Sequence, residues 1–268
     1  MTSARTLRVL VIAGHDPSGA GLDADRAALT DLVFGDLAVE VLAVATAMTE
    51  QDVRGVRSIG ARPVDKWVAE AERLGARGVQ AVKFGLLPDE EHIAAAAALI
   101  RRLRSRLGRA LPVVLDPVIA ASSGGRFLDE LGVEALRGEL LGEGVVVTPN
   151  LSEAAALARL STKHLESSLS PRVEAARILI GLGARAVVVK GGHGGEDPVR
   201  DLVLDEEGRQ DWLTHPRIPA GKIRGSGCRF ASRLAAGLGA GLDLHEAARG
   251  AARHVTEAIG RSIPPPGR

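Results

Sequence analysis

Short apolar runs alternating with longer amphipathic stretches constrain this chain more than any other feature. The runs are Leu7–Ala13, Val39–Ala47, Ala81–Phe84, Val113–Leu115, Val145–Thr148 and Ala186–Lys190. They are apolar at successive positions, so both faces of each strand must be covered, as in a parallel sheet between two helix layers. Between them, Asp23–Phe34, Pro63–Arg77, Glu90–Leu107, Leu151–Leu160 and Pro171–Leu182 read as helices. Parallel strands joined by helices require right-handed crossovers. The expectation is an α/β fold with a mostly parallel, doubly wound sheet and helices on both faces.

Beyond Lys190 the pattern changes. Arg200–Leu204 and Gln210–Thr214 flank an acidic turn and read as a hairpin. Helices follow over Ser226–Leu238 and Leu244–Ser262, the second opened by Asp243 as N-cap with Glu246 three residues on. No linker or repeat interrupts residues 1–268, which are expected to form one domain, with 1–6 and 263–268 frayed.

Composition narrows the functional classes. The 34 Lys and Arg nearly balance 33 Asp and Glu, which gives no general attraction to nucleic acid or to an anionic membrane. Tyrosine is absent and aromatics make up 2% of the chain, so a base-stacking platform is not expected. The single cysteine, Cys228, excludes an internal disulfide and any multi-cysteine metal site. No apolar stretch is long enough to span a bilayer, and the start has no signal-like run, so a soluble cytoplasmic protein is expected.

In sheets of this kind ligands bind outside the carboxyl ends of the strands. The unusual residues of this chain cluster there. The first strand runs into Gly14-His15-Asp16-Pro17-Ser18-Gly19-Ala20-Gly21, which is neither a Walker loop nor a GxGxxG turn. Its small residues allow a ligand close to the backbone; equally, it reads as a plain βα turn capped by Ser18 or Asp23. Gln51, after the second strand, has the paired donor and acceptor that read a heteroaromatic edge, or is an exposed loop amide. Asp116 follows an apolar strand and suits a hard cation, or a helix cap. Asn150 and Glu153 share a face at a helix start, where they can address a metal–phosphate unit or form a capping box. Lys190, before Gly191-Gly192-His193, can meet a phosphate or lie at the surface. Lys83, a charge inside an apolar strand, must find solvent, an acid or a ligand.

The last feature is Gly225-Ser226-Gly227-Cys228, which opens a helix. Two glycines let successive amides converge, and the helix dipole adds positive potential at the same point. An anion hole edged by a thiol is one reading, and a small buried residue at a turn is the other. In the first, the thiol is expected to ionise more readily than a free one.

In their order these segments resemble the hydroxymethylpyrimidine/phosphomethylpyrimidine kinases, within the ribokinase superfamily. The resemblance runs from about Leu7 to Ile259. It rests on AGHDPSGAGLDAD, TAMTEQDVRGV, VKFGLL, LDPV, VTPNLSEA, VVKGGH and the GSGC turn. It implies a single ribokinase-like domain that moves the γ-phosphoryl of ATP, with Mg²⁺, to a hydroxymethylpyrimidine and then to its monophosphate. Cys228 would receive or orient the hydroxyl proton, with Gly225, Ser226 and Gly227 stabilising the phosphoryl group. Asp116 and Glu153 would hold the metal; Asn150, Lys190, Gly192, Arg224 and Arg229 would serve ATP. Gly14, Asp16, Ala20, Gln51, Leu86 and Val118 would surround the pyrimidine.

Departures from the family pattern are one glycine fewer in the first loop, Leu86 for Met, Ser122 and Gly125 for Lys and Asp, Arg224 for His, Ser226 for Thr, and Arg229 for a small polar residue. The losses at Ser122 and Gly125 bear on the second phosphorylation. The resemblance admits a pyridoxal kinase, or a non-catalytic binder of a thiamine precursor, as alternatives. It also admits a homodimer, although no coiled coil or exposed apolar helix forces one.

Overall fold

The computed structural model describes residues 5–52, 55–120, 125–219 and 223–263, with the backbone alone for Gln51, Asp52 and Gly55. Six strands run parallel: β1 (Arg5–Asp16), β4 (Leu37–Asp52), β6 (Ala81–Phe84), β7 (Val113–Leu115), β8 (Val146–Val147) and β9 (Ala186–Val189). Antiparallel β10 (Val199–Asp205) and β11 (Gln210–His215) extend one edge, and β3 (Val33–Phe34) the other, giving the order β11-β10-β9-β8-β7-β6-β1-β4-β3. Off this path, β2 (Ala20–Gly21) pairs β1 and β5 (Gly55–Ala61) pairs β4. The chain steps from β1 to one side, then returns to lay β6 on the other. That reversal leaves a crevice above the carboxyl end of β1.

Each face of the sheet carries a core. Along β1, Leu10 and Ile12 face a layer built from α2 (Val64–Gly75), α3 (Glu90–Leu107), α4 (Glu130–Ala135), α5 (Leu151–Ala158), α6 (Thr162–Ser167) and α7 (Ser170–Gly181). Leu7, Val9, Val11 and Ala13 face α1 (Leu22–Leu29), α8 (Ser226–Gly239) and α9 (Leu244–Arg261). The period of two sends successive residues to opposite layers. Full burial of each such aliphatic side chain contributes about 1.5–3 kcal/mol.

Several boundaries differ from expectation, for local reasons. The helix expected over Asp23–Phe34 stops at Leu29, because Asp31 takes a left-handed φ of 57° and the chain turns into β3. β4 runs past Ala47 to Asp52 and folds back as β5, a hairpin hidden in sequence by its polar alternation. Arg5 and Thr6, expected to fray, pair with Leu37 and Ala38; residues 1–4 and 264–268 lie outside the described residues. The short helices α4 and α6 lay below the length at which periodicity is legible. Asp243 caps α9 as expected, accepting from the Glu246 amide at 2.8 Å. No helix among the described residues is long and apolar enough to cross a membrane.

Candidate active site

The carboxyl ends of β1, β6, β7, β8 and β9 and the first turn of α8 open on one cavity of about 270 Å³. From the β1–β7 side it is lined by Gly14, Asp16, Ala20, Leu86 and Val118, and from the β8–β9 side by Asn150, Lys190 and Gly192. Asp116, Glu153 and all of Gly225–Cys228 also face it. Residues expected from separate loops thus meet at one place. Gly14 sits where the β1–β4 register shifts, a bulge of the kind that re-aims a strand end beside a site.

Lys190 donates to Asp116 Oδ1 at 2.8 Å, and Asp116 is buried. Burial alone would lower the lysine, but the Asp116 and Glu153 carboxylates outweigh it and hold Lys190 above its ordinary range. A parallel bridge between Asn150 and Lys190 joins the two loops. Both readings of Asn150 and Glu153 bear on this arrangement, because a capping box is present. Asn150 Oδ1 accepts from the Glu153 amide at 2.9 Å, and Glu153 Oε2 accepts from the Asn150 amide at 2.8 Å. The same Glu153 is buried against the cavity. Burial pushes its carboxyl up to about 7, with Asp116 adding to the rise and Lys190 opposing it.

Two buried carboxylates with only one lysine between them leave room for a further positive charge. Their hard oxygen donors fit Mg²⁺, which commonly takes one or two carboxylates and completes its shell with phosphate oxygens and water. Among the described residues, no group of three or more His, Cys, Asp or Glu could hold a metal ion alone.

The first turn of α8 presents the anion hole. Its hydrogen-bond ladder begins with the Arg229 amide donating to Gly225 O, so the amides from Gly225 to Cys228 have no partner within the helix. Gly225 has φ 68°, and a Cβ there would sit 2.5 Å from Ala24 Cβ, so only glycine fits. A Cβ on Gly227 would lie 2.9 Å from Lys190 Nζ and 3.4 Å from Asp116 Oδ2. The helix start therefore abuts the Asp116–Lys190 pair.

The expected ease of ionisation at Cys228 is overturned. The thiol is partly covered, and burial pushes it up to about 12. Lys83 and Lys190 pull it down, while Asp25 and Asp116 oppose them. Desolvation is the largest of these effects, and the two nearby acids oppose the two lysines.

The two arginines do not line the cavity. Arg224 lies beside it, 3.6 Å from Asp16 Oδ2. Arg229 lies near His254, which burial and the charges of Arg233 and Arg229 lower to about 4. Its place one residue past Cys228 turns it toward the α9 side of the helix. The Gln51 side chain and Ser122 fall outside the described residues. Gly125 is described, at φ 91° and close to Val56 of β5. Asp16 accepts from the Ser18 amide at 2.8 Å and from its hydroxyl at 2.6 Å, so Ser18 serves the turn; α1 has no side-chain cap.

The polar partners Asp25, Ser232 and Asp201 were not legible in the sequence. Lys83 meets Asp25, with Nζ 2.9 and 3.0 Å from the two carboxylate oxygens, and Ser232 Oγ donates to Asp25 Oδ1 at 2.7 Å. The available signal was an acid on the apolar stripe Leu22–Asp25–Leu29 of α1. Asp201 lines the cavity, accepts from the Gly191 amide at 2.7 Å and lies 3.1 Å from His215 Nε2. Its signal was the inward position in Val199–Asp201–Val203. His193 lies at the same rim, where partial desolvation and the charges of Lys190 and Arg217 lower it.

Known proteins match this arrangement over nearly its whole length. The family model described as phosphomethylpyrimidine kinase matches residues 16–266. A hydroxymethylpyrimidine/phosphomethylpyrimidine kinase of Rhizobium meliloti is 36% identical over 95% of this chain and 91% of its own. That of Streptomyces coelicolor is 36% identical over 96% and 90%. Among solved structures, the pyridoxal kinase from Staphylococcus aureus in complex with AMP-PCP superposes with a TM-score of 0.81 and 30% identity, covering 95% of this chain and 88% of that one. The chain belongs to the phosphomethylpyrimidine kinase family.

Proposed function

We propose that this chain is a phosphotransferase that moves the γ-phosphoryl group of ATP to the hydroxymethyl group of 4-amino-5-hydroxymethyl-2-methylpyrimidine, a step of thiamine biosynthesis. The observation that carries the reading is the convergence of the Gly225–Cys228 turn, the Asp116–Lys190 pair and the Gly14–Ala20 loop on one cavity. The acceptor lies at the β1–β7 side, among Gly14, Asp16, Ala20, Leu86 and Val118. The nucleotide enters over Asn150, Lys190 and Gly192.

Phosphoryl transfer passes through a loose transition state, so the protein's work is alignment and charge stabilisation. The amides of Gly225 to Cys228 face the transferring oxygens, and Lys190 adds a positive charge beside them. Mg²⁺ held by Asp116 and Glu153 would neutralise phosphate charge when bound. With its thiol near 12, Cys228 keeps its proton at neutral pH. We assign it the role of orienting the acceptor hydroxyl in line with phosphorus; as the new O–P bond forms and the bond to ADP breaks, the hydroxyl proton passes to an oxygen of the transferred phosphoryl group. Arg224 reaches the site through Asp16.

Phosphate-acceptor profiling with purified protein and Mg²⁺–ATP tests this. The pyrimidine alcohol should be turned over with a kcat/KM at least about tenfold above pyridoxal or pyridoxine. No turnover of the pyrimidine would reject the proposal. The structural similarity to a pyridoxal kinase favours pyridoxal as the second reading, which the same panel decides. Following mono- and diphosphate products separately shows whether the monophosphate is also an acceptor.

A further inference from the structure

Beneath the cavity, and outside its lining, lies a polar network that the reaction as described does not use. Asp25 and Lys83 are both 0% exposed, as is Ser232. Asp25 takes three hydrogen bonds at 2.7–3.0 Å, two from Lys83 and one from Ser232. A buried ion pair is a poor source of net stability, since desolvation offsets most of its attraction and an apolar replacement is often as stable. Geometry is what such a network supplies best. Each member stands on an element whose end forms the cavity wall. Asp25 lies on α1, directly after Ala20-Gly21. Lys83 is the penultimate residue of β6, two residues before Gly85 and three before Leu86. Ser232 is one helical turn beyond Cys228 on α8. The elements also touch directly, since the Gly225 backbone leaves no space for a Cβ against Ala24.

We propose that Asp25, Lys83 and Ser232 are positioning residues, locking the first turns of α8 to α1 and β6 so that the Cys228 thiol is held at a fixed distance from the acceptor loop. The hydrogen bonds of the network join the thiol-bearing helix to both acceptor-side elements and to no nucleotide-side loop, and only its charges reach Asp116 across space. Loosening it therefore affects the chemical step and the acceptor more than the nucleotide. This rests on the kinase reading above for its kinetic arm, but not for its chemical-labelling arm.

The test begins with Ser232→Ala, which removes one hydrogen bond and leaves the ion pair intact. Its kcat should fall by about 10- to 100-fold while the KM for ATP stays within about twofold. Ser232→Thr, which restores a hydroxyl, should recover most of that loss. The double variant Asp25→Asn with Lys83→Met removes both charges together and should show the same pattern. Because Cys228 is the sole cysteine, iodoacetamide labelling reports its exposure without any turnover. The labelling rate of unliganded Ser232→Ala should rise by about threefold or more as the turn loosens. A lower melting temperature with kcat and labelling rate both within twofold of wild type would overturn the proposal and leave a purely structural network. If wild type turned over no pyrimidine, the kinase reading would fall, while the labelling rates would still decide this one.

Discussion

Cys228 shows how one residue's environment decides its chemistry. Its position at a helix N-terminus was plain from sequence, but the burial that pushes the thiol up to about 12 was not, nor were the acids that add to it, Asp25 and Asp116, 203 and 112 positions away. An orienting thiol makes a specific pattern. Cys228→Ala should lower kcat by about 100-fold or more, while Cys228→Ser, which keeps a hydrogen-bonding atom, should lose much less. The kcat/KM profile of wild type should show no inflection between about pH 7 and 9 that Cys228→Ser abolishes; such an inflection would mark a thiolate base. Glu153 carries a second pH signature. Its carboxyl sits at about 7 in the folded chain against an ordinary 4.5, so the folded form holds an extra proton between those values. Stability from this group is full below about pH 4.5 and falls as pH rises through 7. Glu153→Gln can still accept from the Asn150 amide but cannot ionise. Denaturant unfolding of that variant should therefore lose less stability than wild type between about pH 5 and 8.

At the scale of elements, the strands and long helices were legible because their periodicity is strong, and the strand-end rule pointed to loops that line one cavity. What the sequence could not give was pairing across the sheet. Lys83 required a partner, yet only the packing of α1 beneath α8 identifies Asp25. The β4–β5 hairpin was missed because its exposed, polar alternation resembles a loop. Arg229 was misplaced because adjacency to Cys228 in sequence means a 100° rotation on a helix, which takes it off the cavity wall. The first turn of α8 offers an element-scale test. Gly227→Ala improves helix propensity by up to about 1 kcal/mol. Its new methyl would lie 2.9 Å from Lys190 Nζ, so the ammonium must shift and its contact with Asp116 is disturbed. The variant should melt at or above the wild-type temperature and lose about tenfold or more in kcat; a normal kcat would show that the Lys190–Asp116 contact is dispensable.

For the whole molecule, ligand binding should be visible as stability. AMP-PCP with Mg²⁺ at a hundred times its dissociation constant should add about 2.7 kcal/mol and raise the melting midpoint by about 5 °C. That shift should shrink in Lys190→Met, and an unchanged shift would place the nucleotide elsewhere. The cavity draws on Gly14 near one end of the chain and Cys228 near the other, and α1 and α8 meet face to face behind it. A partly synthesised or clipped chain therefore has no half-working pocket to offer. Catalytic competence should appear only after the final helices have docked, making recovered turnover a late clock for refolding rather than an early one.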